Sequence, residues 1–219
     1  MKVRPRSANA GGGLSLLNAR GTVQHMVRVA ITGGPGEGKS TVLARFAEAG
    51  LSVASSDVVA QSVFERPEIQ AEIREALLLE GPATRDTVRS ALAAQPSFRR
   101  RLNRIMHPAV RATMAASGAQ IHEVPLLFEV GLQGHYDWIF VVTCGPEEQL
   151  RRLTERWGKP EIAAQMVASQ LPSTAKVGLA DAVLRTDRPL PSVLQDADMW
   201  SKTIATAQNA LELSAILRP

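Results

Sequence analysis

Residues 32–41 read TGGPGEGKST, and from Gly33 to Ser40 this stretch matches the pattern G-x-x-x-x-G-K-[ST] in full. An apolar run at residues 27–32 comes before it, and an amphipathic stretch at residues 40–49 follows it, as a buried strand and a helix would. In that context the glycines let backbone N–H groups surround phosphate oxygens, and the helix adds the positive end of its dipole. The pattern predicts a phosphate-binding loop; the alternative is an ordinary glycine turn with a surface lysine.

The chemistry of the loop residues assigns them expected roles. The residues predicted to bind nucleotide are Gly34, Pro35, Gly36, Glu37, Gly38, Lys39, Ser40 and Thr41. We expect Lys39 to reach the β- and γ-phosphates and to act in catalysis, and the Ser40 hydroxyl to bind Mg²⁺. Thr41 is placed for a contact near the α-phosphate. The predicted ligand is therefore a nucleoside triphosphate with Mg²⁺.

Strand and helix signals alternate along the rest of the chain. Apolar runs predict strands at residues 27–32, 51–54, 121–127, 138–143 and 182–184. Helices are expected between and after them, with prolines such as Pro108 as breaks. Continuously apolar strands separated by helices indicate a parallel sheet that is covered on both faces. The predicted fold is α/β, a P-loop NTPase fold whose parallel five-stranded sheet carries helices on both faces.

Charge and cysteine content narrow the class of protein. The formal net charge is +4 and the isoelectric point about 9.7, which favours anionic partners such as nucleotides, phosphorylated metabolites or nucleic acid. Cys144 is the only cysteine, which excludes an internal disulfide and a multi-cysteine zinc site. No apolar run approaches the roughly 20 residues that span a membrane. We therefore expect a cytoplasmic protein without a membrane partner.

A phosphate-binding loop alone predicts nucleotide binding and no particular reaction. The chain has no N-K-x-D segment of the kind that reads guanine in GTPases. The apolar run at residues 138–143 ends in Thr143 and Cys144, where motor and transporter ATPases usually have an aspartate. Small-molecule kinases often lack that aspartate and place a carboxylate near the acceptor hydroxyl, so this class fits the chain best.

Several further motifs, taken in chain order, resemble those of the dephospho-CoA kinase family. Besides the loop, they are SSDVVAQ at residues 55–61, His107-Pro108, VPLLFE at residues 124–129, Gln149 with Arg152 and Arg156, and Gln170 with Lys176 and Asp181. The resemblance runs from Val29 to about Leu184. Three places depart from the family pattern. Ser55 stands where the family has the first aspartate of D-A-D, Gln61 stands where it has an arginine, and Arg185-Thr186-Asp187-Arg188 stands in place of an asparagine-glycine.

The resemblance implies the reaction and the groups that perform it. ATP with Mg²⁺ would phosphorylate the ribose 3′-hydroxyl of dephospho-CoA, which gives coenzyme A in the final step of its biosynthesis. Asp57, Lys39 and Arg152 would be catalytic. Asp57 would orient the acceptor hydroxyl and take its proton; the alternative is that Asp57 only caps the helix that follows it.

Two arginines lie four residues apart and share one helix face. Arg152 is expected to stabilise charge on the transferring phosphoryl group, and Arg156 to bind the nucleotide. The alternative for both is ion pairing with Glu148 or Glu155 on an exposed helix.

The resemblance also implies an acceptor pocket formed by Asp57, His107, Pro125, Leu126 and Glu129. His107 precedes Pro108, which predicts a break in the helix at that point; the alternative for His107 is a buried histidine bonded to the backbone. Glu129 is expected to close the strand that begins at residue 121. Lys176 and Asp181 are equally consistent with a structural ion pair.

The expected organisation is a tail followed by one kinase domain. Residues 1–25 are expected to be a disordered tail or upstream sequence, and residues 26–219 the kinase domain, with a helical acceptor-binding region at 58–117 and a lid at 145–180. The expected partners are ATP and dephospho-CoA, with no nucleic acid and no membrane, and the oligomeric state is left open. Alternatives are a nucleoside or nucleotide kinase, a nucleic-acid-binding ATPase and a non-catalytic nucleotide sensor.

Overall fold

The computed structural model describes residues 16–17, 23–24 and 26–216 of the 219-residue chain. Two short strands near the start, β1 (Leu16–Leu17) and β2 (Val23–Gln24), pair antiparallel. The remainder of the predicted tail lies outside the described residues. The chain divides into two compact units, of which the first contains Met1–Val53 and Gly118–Pro219, and the second Ala54–Ser117.

A five-stranded sheet forms the centre of the first unit. Its strands are β3 (Val29–Thr32), β4 (Val53–Ser55), β5 (Ile121–Glu123), β6 (Trp138–Thr143) and β7 (Ala182–Arg185), in the order β4-β5-β3-β6-β7. β3 lies between β5 and β6 and runs parallel to both, with Val29 opposite Ile121 on one side and Trp138 on the other. The predicted α/β fold with a five-stranded parallel sheet is confirmed.

Nine α-helices are described between residues 26 and 216. They are α1 (Lys39–Glu48), α2 (Ser56–Phe64), α3 (Pro67–Ala76), α4 (Arg85–Ala94), α5 (Phe98–Ala116), α6 (Pro146–Trp157), α7 (Pro160–Ala168), α8 (Ser173–Val177) and α9 (Leu190–Ile216). None of these helices is both long enough and apolar enough to cross a membrane.

Side-chain alternation along the strands gives the sheet two apolar faces. On one face, alternate residues of β3 and β6, such as Ile31 and Phe140, pack in a core with residues of α1 and α9. On the other face Ala30 and Ile139 pack against Val124 and Leu127. α1 and α9 are also joined by a two-pronged ion pair, in which Arg45 donates to both carboxylate oxygens of Asp198 at 2.6 and 2.7 Å.

The second unit is a helical cluster with its own apolar core. Buried residues of α2, α3, α4 and α5 form this core, among them Val63, Ile73, Val88 and Phe98. The predicted helix break at His107 is wrong, because α5 continues through Pro108. The packed face of α5 holds both halves of the helix. Arg104 and Pro108 are exposed, so water can donate to the Arg104 carbonyl, which lacks the N–H that Pro108 cannot supply.

β5 is shorter than predicted. It ends at Glu123, and residues 125–130 form a turn in which the N–H of Leu127 donates to the carbonyl of Val124 at 3.2 Å. Pro125 has no N–H to continue the ladder, which is the physical reason for the early end. Glu129 therefore lies on a turn instead of closing a strand, contrary to the prediction.

A buried histidine makes the stability of the fold sensitive to acid. His122 on β5 is 5% exposed, and its Nδ1 lies 3.1 Å from the hydroxyl of Tyr136. Burial, together with the positive charge of Arg28, lowers the pKa of His122 from 6.5 to about 4. The folded protein therefore holds this side chain neutral in a pH range where the unfolded chain protonates it.

We predict that His122 lowers the stability of the folded protein as the pH falls below 6.5. Between pH 7 and pH 4 the free energy of unfolding should fall by about 3 kcal/mol from His122 alone, since only the unfolded state takes up the proton. Urea unfolding across this range would measure it, with His122→Gln as the comparison. Identical pH dependence in the two proteins would contradict the assignment.

Candidate functional site

The phosphate-binding loop connects β3 to α1 and requires glycine at both ends. Gly33 has φ 152°, and a Cβ there would lie 2.3 Å from the carbonyl oxygen of Val142 on β6. Gly38 is the residue before α1 and has φ 85°, in the left-handed region that other residues rarely adopt. The loop thus has the strand-to-helix setting that the sequence pattern predicts.

Lys39 lies across the loop that it follows. Its Nζ donates to the carbonyl oxygens of Gly33 at 3.1 Å and Gly34 at 2.9 Å, and the side chain is half-buried. Ser40 and Thr41 are exposed in the first turn of α1. The ammonium group is therefore held on the loop, and the hydroxyl predicted to bind Mg²⁺ belongs to the next residue and is exposed.

Glu37 has a side chain that points into the protein and is fully buried. Its carboxylate accepts hydrogen bonds from the N–H of Gly34, from the hydroxyl of Thr143 at 2.8 Å and from the hydroxyl of Ser173 at 2.6 Å. The carboxylate therefore braces the loop against the end of β6 and the start of α8. Any contact of Glu37 with nucleotide comes from its backbone.

This arrangement narrows the set of donors that the loop can offer to phosphate oxygens. The N–H of Gly34 is already bonded to Glu37, and Pro35 has no N–H. The carbonyl of Pro35 accepts from the side-chain amide of Gln149 at 2.9 Å, which attaches the loop to α6. The N–H of Thr41 is bonded to the carbonyl of Gly38 at 3.2 Å, so we expect the N–H donors to phosphate to come from residues 36–40.

Arg152 on α6 is brought to the same loop through Thr186. Its guanidinium donates to the Thr186 hydroxyl at 3.2 Å and carbonyl at 2.7 Å, and its Nε donates to Glu148 at 2.7 Å. The ion pair considered for Arg152 is thus present, with Glu148. Arg151 pairs with Glu148 as well, and these two arginines lower the pKa of the Glu148 carboxyl to about 2.

Arg156 lies one turn beyond Arg152 and is exposed. Its guanidinium is 5.9 Å from the centre of the Trp157 ring, within the range of a cation–π contact. Glu155, the other partner considered for it, pairs with Arg151. The nucleotide contact of Arg156 stays a prediction.

A second network joins the turn at residues 125–130 to α8. The fully buried Lys176 donates to the carbonyl of Pro125 at 2.8 Å and lies 3.0 Å from Glu129. Lys176 thus pairs with Glu129, and the carboxylate of Asp181 accepts from the N–H of Ile139 at 2.8 Å. Burial raises the pKa of Glu129, but hydrogen bonds from the Leu171 backbone and from Lys176 outweigh it, so the net shift is downward.

Of the turn residues predicted to line the pocket for the acceptor substrate, some support the turn and one is exposed. Glu129 is held by Lys176 and by the N–H of Leu171 at 2.9 Å, so its carboxylate braces the turn. The Pro125 carbonyl also accepts from the hydroxyl of Thr32 at 3.1 Å, where β3 enters the loop. Leu126 is exposed on the same turn and is free to form part of a pocket wall.

The remaining predicted site residues belong to the second unit. Asp57 is exposed in the first turn of α2, whose N-cap is Ser55, so the alternative that Asp57 is the cap is wrong. The positive end of the α2 dipole favours its negative charge. His107 is exposed on α5, which excludes the alternative of a buried, backbone-bonded histidine. Contact of either residue with an acceptor stays a prediction.

A cleft of about 720 Å³ opens at the start of α6. Its wall contains four arginines, which are Arg151, Arg152, Arg185 and Arg188. The sequence reasoning treated residues 185–188 only as a departure from a family pattern, and did not identify Thr143, Ser173 or Thr186 as supports of the loop. The sequence feature that could have identified two of these supports is a polar residue at or just after the end of an apolar strand. Thr143 ends β6 in this way, and Thr186 follows β7.

The parallel sheet, the glycine loop and the lysine held across that loop define a nucleotide-binding protein of the P-loop class. The sequence profile of the family "Dephospho-CoA kinase" matches residues 27–191. The chain belongs to the dephospho-CoA kinase family.

Individual relatives agree with this assignment. The dephospho-CoA kinase of Xanthomonas euvesicatoria is 36% identical over 184 residues, which cover 77% of this chain and 91% of the relative. That of Deinococcus radiodurans is 38% identical over 185 residues, which cover 77% of this chain and 88% of the relative. A crystal structure from Thermus thermophilus has a TM-score of 0.67 at 26% identity and covers 84% of this chain and 98% of its own. The dephospho-CoA kinase structure from Campylobacter jejuni shares the fold, with a TM-score of 0.56 at 19% identity over 81% of this chain and 96% of its own.

We predict that Glu37→Ala lowers the free energy of unfolding by about 2–4 kcal/mol, because two buried donors and one half-buried donor lose their acceptor. Glu48→Ala is the matched control, since Glu48 is exposed at the end of α1 and pairs only at the surface with Arg45. The control should lose no more than about 1 kcal/mol. Urea unfolding of both variants measures the difference, and equal losses would show that the buried carboxylate does not support the loop.

Proposed function

We propose that the chain transfers the γ-phosphoryl group of ATP to the ribose 3′-hydroxyl of dephospho-CoA, which yields ADP and coenzyme A. The observation that supports it most directly is the ammonium of Lys39, held on the carbonyls of Gly33 and Gly34 where the terminal phosphates of a bound nucleotide would lie. Membership in the dephospho-CoA kinase family is the reason for proposing dephospho-CoA as the acceptor.

In the proposed reaction the 3′-oxygen of the acceptor forms a bond to the γ-phosphorus, and the bond from that phosphorus to the bridging oxygen breaks. Asp57 takes the proton of the acceptor hydroxyl, and ADP leaves. Arg152 and Lys39 stabilise negative charge on the phosphoryl oxygens during transfer. Arginine suits this role because its planar guanidinium binds two oxygens at once and stays protonated.

A magnesium ion fits the donors that the loop presents. Mg²⁺ usually takes one or two protein oxygens and completes its shell with substrate phosphates and water. The Ser40 hydroxyl is exposed beside Lys39, which suits such a shared site. When bound, the ion would neutralise charge on the β- and γ-phosphates.

The proposal also includes the partners of the enzyme, its location and the residues of its acceptor pocket. Its partners are the small molecules ATP and dephospho-CoA, without nucleic acid, and it works in the cytoplasm. His107, Leu126 and the turn held by Glu129 would form part of the acceptor pocket, and Arg156 would contact the nucleotide. The exposure of His107, Leu126 and Arg156 is consistent with these roles.

We predict that the pure protein, incubated with ATP, Mg²⁺ and dephospho-CoA, forms coenzyme A with the mass increase of one phosphoryl group. Nucleosides and nucleoside monophosphates are offered in parallel as acceptors. Turnover with one of these and none with dephospho-CoA would replace the proposed substrate while leaving the nucleotide site in place. Lys39→Ala serves as the inactive control.

We predict that Asp57→Asn lowers kcat by roughly 10²–10⁴-fold while ATP still binds, because asparagine cannot accept the hydroxyl proton. Asp86→Asn is the matched control, since Asp86 is also an acidic residue in the first turn of a helix of the second unit. Both changes remove one charge from a helix N-terminus, so their melting temperatures should change alike. Normal turnover in Asp57→Asn would remove the proposed base.

A further inference from the structure

Thr186 is the first residue after β7, and all its polar atoms have partners. Its N–H donates to the Thr143 carbonyl at 2.9 Å, and its hydroxyl donates to the Glu37 carbonyl at 2.8 Å. The hydroxyl and the carbonyl accept from Arg152 at 3.2 and 2.7 Å. Thr186 is only 7% exposed, so these bonds are made inside the protein.

The bonding pattern requires a side chain that both donates and accepts. Because the Thr186 proton is given to the Glu37 carbonyl, a lone pair of the hydroxyl oxygen faces the guanidinium of Arg152. The methyl group of Thr186 packs closely against Gly38, since a Cβ added at Gly38 would lie 3.1 Å from the Thr186 Cγ2. Valine would keep the shape of this residue and lose both hydroxyl bonds.

Arg152 differs from its neighbour Arg151 in how it is held. Arg151 is exposed, and within the described part of the chain it is bonded to the carboxylates of Glu148 and Glu155 on its own helix. Arg152 is half-buried and is bonded to one residue of its own helix and to Thr186 from another element. The two Thr186 bonds fix the plane of the Arg152 guanidinium relative to another element, whereas the two-pronged bond of Arg151 to Glu148 lies within α6.

We propose that Thr186 is a positioning residue, which aligns the guanidinium of Arg152 with the phosphate-binding loop for phosphoryl transfer. The proposal rests on the proposed role of Arg152. Thr186 transmits the position of the loop to Arg152 through one hydroxyl, whose donor side is bonded to Glu37 and whose acceptor side is bonded to Arg152. Its function in the reaction therefore depends on the presence of Arg152.

A double-mutant cycle tests this dependence, with Thr186→Val, Arg152→Ala and the combined variant. We expect Thr186→Val to lower kcat by roughly tenfold with less than about a threefold change in the KM for ATP, as an effect on the transition state requires. In the Arg152→Ala background the same change should lower kcat by less than about twofold. Equal effects in both backgrounds would overturn the proposal and leave Thr186 as a support of the loop alone.

Two further variants separate positioning from folding. Thr186→Ser keeps the hydroxyl and should retain most of kcat, whereas Thr186→Ala replaces the valine variant if that protein does not fold. Thr203→Val removes a hydroxyl that donates to the Met199 carbonyl within α9 at 2.9 Å, and should leave kcat unchanged. Loss of activity in Thr186→Ser equal to that in Thr186→Val would contradict the need for a hydroxyl.

A binding measurement tests the role of Thr186 independently of which acceptor substrate the enzyme uses. The same variants are titrated with ADP, Mg²⁺ and aluminium fluoride, which imitates the transferring phosphoryl group and needs no acceptor. We expect Thr186→Val to weaken this binding only when Arg152 is present. Failure to form coenzyme A with this coupling intact would reject the acceptor, while absence of coupling would reject the role of Thr186.

Discussion

The carboxylate of Glu37 is buried completely inside the protein, and the shape of the phosphate-binding loop depends on how that charge is satisfied. An unpaired carboxylate in such a place costs several kcal/mol, so it is stable only with a full set of donors. Its donors are Gly34, Thr143 and Ser173. They come from the loop itself, the end of β6 and the start of α8, so that one group joins three segments far apart in the chain.

The sheet order makes this possible. Because β6 lies beside β3, the carbonyl of Val142 packs against Gly33 and the next residue, Thr143, reaches Glu37. β7 lies on the other side of β6, so the residue after it, Thr186, reaches the carbonyl of the same glutamate. Three adjacent parallel strands thus end at one loop, in the place where α/β sheets present their functional groups.

Local patterns were sufficient for the parts of the protein that depend on local physics. The loop and the five strands were predicted because glycine geometry and apolar runs act over a few residues. The helix break at His107 was wrong because the packing of α5 outweighs one missing hydrogen bond at Pro108. The partner of Lys176 is Glu129, which no spacing rule indicates, and the buried bonds of Glu37 join residues more than a hundred positions apart. Such pairings are set by the tertiary fold.

The replaced segment at residues 185–188 adds two arginines to the cleft that Arg152 lines, and each of them pairs with an aspartate. Arg185 bonds to Asp187 at 2.9 Å, which raises the pKa of Arg185 and lowers that of Asp187, and Arg188 pairs with Asp196. Each of these arginines therefore has a carboxylate of its own. Arg152 instead shares Glu148 with Arg151, and its other partners are the neutral groups of Thr186. Arg152 therefore shares its carboxylate partner with a second arginine, and in the proposed function a phosphoryl group bound on the loop would be its further anionic partner.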